Sequence, residues 1–156
     1  MKRKILIWVG GFVLLAGVAG FAFVNYMQLY ASAPVFAPGG IAIQGHDPVA
    51  YFNQATPVQG SAQFSHEWNG AVWHFANAEN LAAFQAEPQR YAPQFGGYCA
   101  YAVANGYTAR TSPEAWHIED GKLYLNFDVA TRDEWRAARA KLIPNAYANW
   151  PRVIQD

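Results

Sequence analysis

The chain of 156 residues is 53% hydrophobic and 14% charged, with one cysteine, and its 11 Lys and Arg balance 11 Asp and Glu. That composition suits one modest globular domain with an appendage, and it excludes a disulfide framework, a coiled coil and a disordered tail. A formal net charge of zero leaves no basic surface for neutralising phosphates, so no nucleic-acid partner is expected.

The charge is unevenly spread. Lys2, Arg3 and Lys4 carry three positive charges, none follows until Asp47, and the rest of the chain nets −3. Residues 5–24 are twenty consecutive uncharged, mostly apolar residues. At about 1.5 Å per helical residue they reach about 30 Å, the thickness of a bilayer core. Residues 1–24 therefore read as a basic cytoplasmic end and one transmembrane helix, with the remainder on the far side of the membrane. The rival reading is a cleaved signal peptide ending at Ala31-Ser32-Ala33. The long apolar run and Pro34, just past that cut, weigh against it. Tyr26 and Tyr30 suit the outer interface. Residues 25–40, with Pro34, Pro38 and Gly39-Gly40, read as a linker. Residues 41–156 then form the domain, and they hold 18 of the 25 aromatics.

Short strands are expected at residues 41–43 and 49–52, on either side of the turn Gly45-His46-Asp47-Pro48. Asn69-Gly70 predicts a two-residue type I′ hairpin between residues 64–68 and 71–75, pairing Trp68 with Ala71, His66 with Trp73 and Phe64 with Phe75. Alternation then puts Phe64, His66, Trp68, Ala71, Trp73 and Phe75 on one face, and Ser65, Glu67, Val72 and His74 on the other. A helix over residues 77–87 starts at the cap Asn77 and stops at Glu87-Pro88. A second follows Gly96-Gly97 over residues 98–105. Asp120-Gly121 predicts another hairpin, residues 116–119 and 122–127, with Trp116, Ile118, Leu123 and Leu125 on one face and His117 opposite Tyr124 on the other. The last helix, residues 128–142, is capped by Asp128, buries Trp135, Ala138 and Leu142, and ends before Pro144. The fold class is α+β: a small, mainly antiparallel sheet of two hairpins with three short helices on one side, preceded by the transmembrane helix.

No CxxC, Gly-rich phosphate loop, HExxH or GxSxG occurs. The histidines, at positions 46, 66, 74 and 117, fall on different elements, so spacing alone gives no metal site. Cys99 has two readings. One is a small buried hydrophobe; the other is a thiolate favoured by the first turn of a helix, where unpaired N–H groups meet it. His66, among apolar hairpin neighbours, is either bonded to backbone or a ligand, because a buried imidazole needs a partner. His66 and His74 face opposite sides and should not share an ion.

Several motifs recur in a fixed order: residues 43–52 (Ile-Gln-Gly-His-Asp-Pro-Val-Ala-Tyr-Phe), 64–76 around His66-Glu67-Trp68, Pro88-Gln89-Arg90-Tyr91-Ala92-Pro93, Gly96-Gly97-Tyr98-Cys99-Ala100-Tyr101 and Ala148-Asn149-Trp150-Pro151. This stretch, residues 41–153, resembles the bacterial YHS domain proteins, which are similar in turn to the cysteine-rich TRASH metal-binding domains. The resemblance implies metal handling, and relatives in this branch sometimes carry selenocysteine at the position of Cys99. Two cysteines of the metal-binding relatives are missing, replaced by Ala50 and Ala76, and many relatives have tyrosine in place of His46. A closed Cys-rich zinc site is thus not available. A metal would rest on Cys99 and His66, with Asp47 or Tyr51 as oxygen donors, and such a soft donor pair suits copper(I) or zinc. The expectation is a module tethered to the bacterial inner membrane, N-terminus cytoplasmic and domain periplasmic, binding copper or zinc and more a binder than an enzyme. The alternatives are a thiol redox enzyme using Cys99 and a structural or partner-binding domain.

Overall fold

Two dipeptides frame the fold. Asn69 and Gly70 take φ of 52° and 78°, and Asp120 and Gly121 take 50° and 71°. Positive φ at both central positions gives the type I′ turn, whose twist matches that of the strands it joins. The computed structural model of the chain describes residues 33–155. The expected anchor, with Tyr26 and Tyr30, lies outside them. Among the described residues no helix is long and apolar enough to cross a membrane.

Strands β1 (Ser61–Trp68) and β2 (Ala71–Phe75) pair antiparallel, with Trp68 opposite Ala71 and His66 opposite Trp73, as the turn predicts. The expected pairing of Phe64 with Phe75 does not form. An irregularity between Ser61 and Ser65 takes up extra residues on β1, so that Phe75 faces Ser61. Strands β3 (Ser112–Glu119) and β4 (Lys122–Asn126) follow the predicted register from Trp116–Leu125 to Glu119–Lys122, with His117 opposite Tyr124.

The hairpins do not join into one sheet, as composition and pattern had suggested; they are two separate two-stranded sheets. The reason lies in β4, which is buried from Leu123 to Asn126 on both faces. Leu123 and Leu125 enter a core with Trp73, Phe75 and Phe84, whereas Tyr124 enters a second core with Phe95, Trp135 and Leu142. Each large side chain so buried contributes about 1.5–3 kcal/mol. The second hairpin thus meets its surroundings through side chains on two faces, and helices pack on both sides rather than one.

Five α-helices stand among the described residues, not three. The expected strand at residues 49–52 is helix α1 (Ala50–Asn53). Asp47 explains it: its Oδ1 accepts the Val49 N–H at 2.8 Å, a local turn that starts a helix after Pro48. The strand expected at residues 41–43 is reduced to one parallel bridge between Ile41 and Val72, because Ile43 and Gln44 turn into the left-handed region. Helix α2 (Ala78–Ala86) is capped as expected, Asn77 accepting the Asn80 N–H at 2.8 Å. Helix α3 (Pro88–Tyr91) was not expected. Helix α4 (Ala100–Ala104) is shorter than residues 98–105 and has Cys99 at its N-cap.

Helix α5 (Val129–Asn149) corrects the expected stop at Pro144, which lies inside it. Leu142 and Ala146, on either side of the proline, are both buried against the second core, and their packing outweighs the lost backbone bond. Asp128 caps this helix by accepting the Thr131 N–H at 2.8 Å. Of the three residues expected to be buried, Trp135 and Leu142 are; Ala138 is exposed.

The packed domain also takes in residues read as linker. Val35 is buried in the first core, and Phe36 N–H donates to Gly96 O at 2.8 Å. A Cβ at Gly96 would collide with the Pro34 carbonyl, so only glycine lets the incoming segment lie this close.

Candidate functional site

Cys99 is 1% exposed, held between the start of α4 and the end of β4. Its Sγ lies 4.0 Å from Asn126 Oδ1, toward which the thiol donates. The same oxygen accepts the Tyr101 N–H at 3.2 Å, which fixes the orientation of the carboxamide. Burial pushes the Cys99 thiol up from its ordinary value, while the main-chain N–H groups of Ala102, Phe127 and Tyr101 pull in the opposite direction and burial prevails. Cys99 at rest is therefore a protonated thiol. Asn126 is itself fully buried, and its Nδ2 has no hydrogen-bond partner. Such an orphaned donor costs about 1–3 kcal/mol and asks for a role.

His66 is half-buried on β1, its ring edge-on to Phe84 of α2 at 6.5 Å and its Nδ1 3.4 Å from Gln85 Nε2. The parity deduced from the hairpin is right for this residue, which lies on the face of Trp73. These neighbours differ from Asn126 and Tyr101, described above for Cys99. Among the described residues no three His, Cys, Asp or Glu side chains gather into a metal-holding group. The main-chain N–H groups near Cys99 favour negative charge on its sulfur, and burial opposes it.

The two oxygen donors considered with them serve the fold. Asp47 is fully buried; Oδ1 accepts Val49 N–H, and Oδ2 accepts Ala76 N–H at 2.9 Å and Asn80 Nδ2 at 2.6 Å. Tyr51 OH donates to the Pro113 carbonyl at 3.1 Å, and burial pushes its phenol far up. His46 Nδ1 lies 3.1 Å from the Ile43 carbonyl. His74 pairs with Ser65 across the first hairpin and is half-buried, not fully on a polar surface. His117 Nε2 lies 2.9 Å from Glu119 Oε2, and Arg139 Nε donates to Oε1 of the same carboxylate at 3.0 Å. Asn126 was not singled out from sequence. Its only signal there is a polar residue closing an apolar strand.

A second feature lies where the chain enters the domain. A cavity of about 230 Å³ is lined by Pro34, Trp68, Asn69, Trp150, Pro151 and Ile154, with Trp73 at its floor donating its Nε1–H to the Trp68 carbonyl at 2.9 Å. Its lining has no charged side chain.

Compared with known proteins, the chain matches no family model, no curated protein and no solved structure.

Proposed function

We propose that the chain is a membrane-tethered, extracytoplasmic domain of the YHS type that works through the thiol of Cys99 rather than through a bound cation. The tether rests on the apolar run of residues 5–24 behind Lys2, Arg3 and Lys4, and the family on the ordered motifs of residues 41–153. The observation that carries the chemistry is the buried Cys99 thiol facing Asn126 Oδ1 at 4.0 Å, with the Nδ2 of the same carboxamide unpartnered among the described residues. The main-chain N–H groups nearby ease negative charge on the sulfur or on an oxygen it gains, while burial and the Asp128 carboxylate hold the resting thiol protonated.

The reaction is oxidation by a hydroperoxide. The Cys99 thiolate attacks one peroxide oxygen, the O–O bond breaks, and the departing oxygen takes the proton released by the thiol, leaving a sulfenic acid. The new oxygen is an acceptor within the neighbourhood of Asn126. The chain has no second cysteine, so reduction falls to an external thiol, one equivalent forming a mixed disulfide with loss of water and a second releasing Cys99. Because burial raises the thiol, the reaction is slow at neutral pH and quickens as pH rises, the behaviour of a shielded sensor more than of a scavenger.

The test is trapping of the sulfenic acid in the full chain after treatment with peroxide, by a carbon nucleophile selective for that oxidation state. Adduct confined to Cys99, forming faster as pH rises and more slowly in Asn126→Ala, is the expected result. Absence of adduct even where the thiolate is populated overturns the reading. One-to-one copper(I) binding that Cys99→Ser and His66→Ala each weaken tenfold or more overturns it in favour of a metal module.

A further inference from the structure

We infer that the tryptophan-lined cavity is a seat for the lipid surface itself, holding the domain face-down on the membrane to which it is tethered; this rests on the tether proposed above. The indoles of Trp68 and Trp150 are half-buried, apolar in body with a polar N–H, the side-chain type that settles at the headgroup level of a bilayer. Pro34, Pro151 and Ile154 extend the apolar surface beside them, and the cavity of about 230 Å³ offers an apolar recess.

Chain length points to this occupant. The apolar run ends at residue 24, and Pro34 is already part of the cavity wall. The nine residues between reach about 32 Å even when fully extended, and less when relaxed. The tether therefore keeps this wall within that reach of the lipid.

Charge points the same way. The chain beyond Lys4 nets −3, which a bilayer containing anionic lipid repels. The cavity lining carries no charge, and Arg152, next to Pro151, is exposed with its Nη2 on Asn149 Oδ1 at 3.0 Å. The cavity lining itself presents no acidic group to an anionic surface.

The experiment places the full chain, one copy per disc, in lipid nanodiscs whose lipids carry a fluorescence quencher at the headgroup level. The readout is the tryptophan emission of the wild type and of the double variant Trp68→Phe/Trp150→Phe. Phenylalanine keeps the packing, and matching circular dichroism checks the fold. Seating predicts strong quenching in the wild type, with the quenched fraction falling at least twofold in the double variant. Equal quenched fractions in a chain that is embedded in the discs overturn the seating and leave the tether standing. A chain that does not enter bilayers at all overturns the tether and the seating together. Quenching by lipid that disappears when a second copy shares the disc also overturns it, since the cavity then serves a contact between copies.

Discussion

Asn80 Nδ2 and Asp47 Oδ2 meet at 2.6 Å inside the protein, joining the loop before α1 to helix α2. With the N–H groups of Val49 and Ala76, Asn80 gives the buried carboxylate three donors drawn from three segments. Removing the carboxylate strands all three donors, so Asp47→Ala is expected to lose about 3 kcal/mol or more in equilibrium unfolding by urea. Asp47→Asn keeps one acceptor but turns an NH2 group toward a donor, and its loss should lie between those of wild type and Asp47→Ala. A loss below about 1 kcal/mol for the alanine variant would show that these bonds do not hold the segments together.

The alkaline limb of the stability curve belongs first to Cys99. Burial raises its thiol in the folded state, so its contribution is fully present below the unfolded thiol value of about 8.5 and is lost as pH rises through the folded value. Tyr51, Tyr98 and Tyr124 are also pushed up by burial, but from a starting point of 10.0. Between about pH 8.5 and 10 the decline is therefore attributable to the cysteine. Cys99→Ala should flatten that interval while leaving the fall above it. An unchanged slope in the variant would mean that Cys99 is more open to water than its position indicates.

On the acid side, His117 carries a shift that couples folding to pH. Burial lowers its pKa from 6.5, and the cations of Arg136 and Arg139 add to this, while the Glu119 carboxylate opposes them and does not prevail. In the window just below 6.5 the unfolded chain binds the proton and the folded one does not, so stability is complete above 6.5 and falls as pH drops toward the folded value. Glu119, held low by its bonds to Arg139 and His117, adds a separate loss as pH falls below 4.5. His117→Gln should remove the first step and leave the second. Thermal unfolding measured across that range checks it, and stability that rises on acidification through 6.5 contradicts the assignment.

What the sequence made legible was local and periodic. Asn69-Gly70 and Asp120-Gly121 fixed both turns, and the four pairings from Trp116 to Glu119 followed from counting outward. Counting failed at Phe64, because a bulge beyond Ser65 is a tertiary accommodation with no signal in alternation. The strand expected at residues 49–52 became a helix because Asp47 bonds Val49 locally, and the apolar character of Val49-Ala50-Tyr51-Phe52 fits either state. At the site, Cys99 was visible as the lone thiol. Its relation to Asn126 was not, since the two are 27 residues apart and only folding brings them to 4.0 Å. The pairing of Cys99 with His66 came from resemblance, not from spacing.

Pro144 gives the most direct test of how packing overrode a local rule. Inside α5 it lacks the N–H that would bond one turn back, and its ring crowds that carbonyl, a combination that costs about 3 kcal/mol in a helix interior. The helix nevertheless runs to Asn149, held by Leu142 and Ala146 in the second core and closed by the Trp150 N–H bonding the Ala146 carbonyl at 2.9 Å. Pro144 itself is exposed, so its ring contributes little packing. Pro144→Ala should therefore restore the missing bond and stabilise the domain by about 1 kcal/mol or more, the unfolded-state entropy of alanine offsetting part of the gain. Ala146→Pro, which places the same defect where the helix packs, should destabilise strongly. If Pro144→Ala leaves the unfolding midpoint unchanged or lowers it, the proline is fixing a bend on which the contacts of Leu142 and Ala146 depend, and the helix is held in that shape by the defect rather than in spite of it.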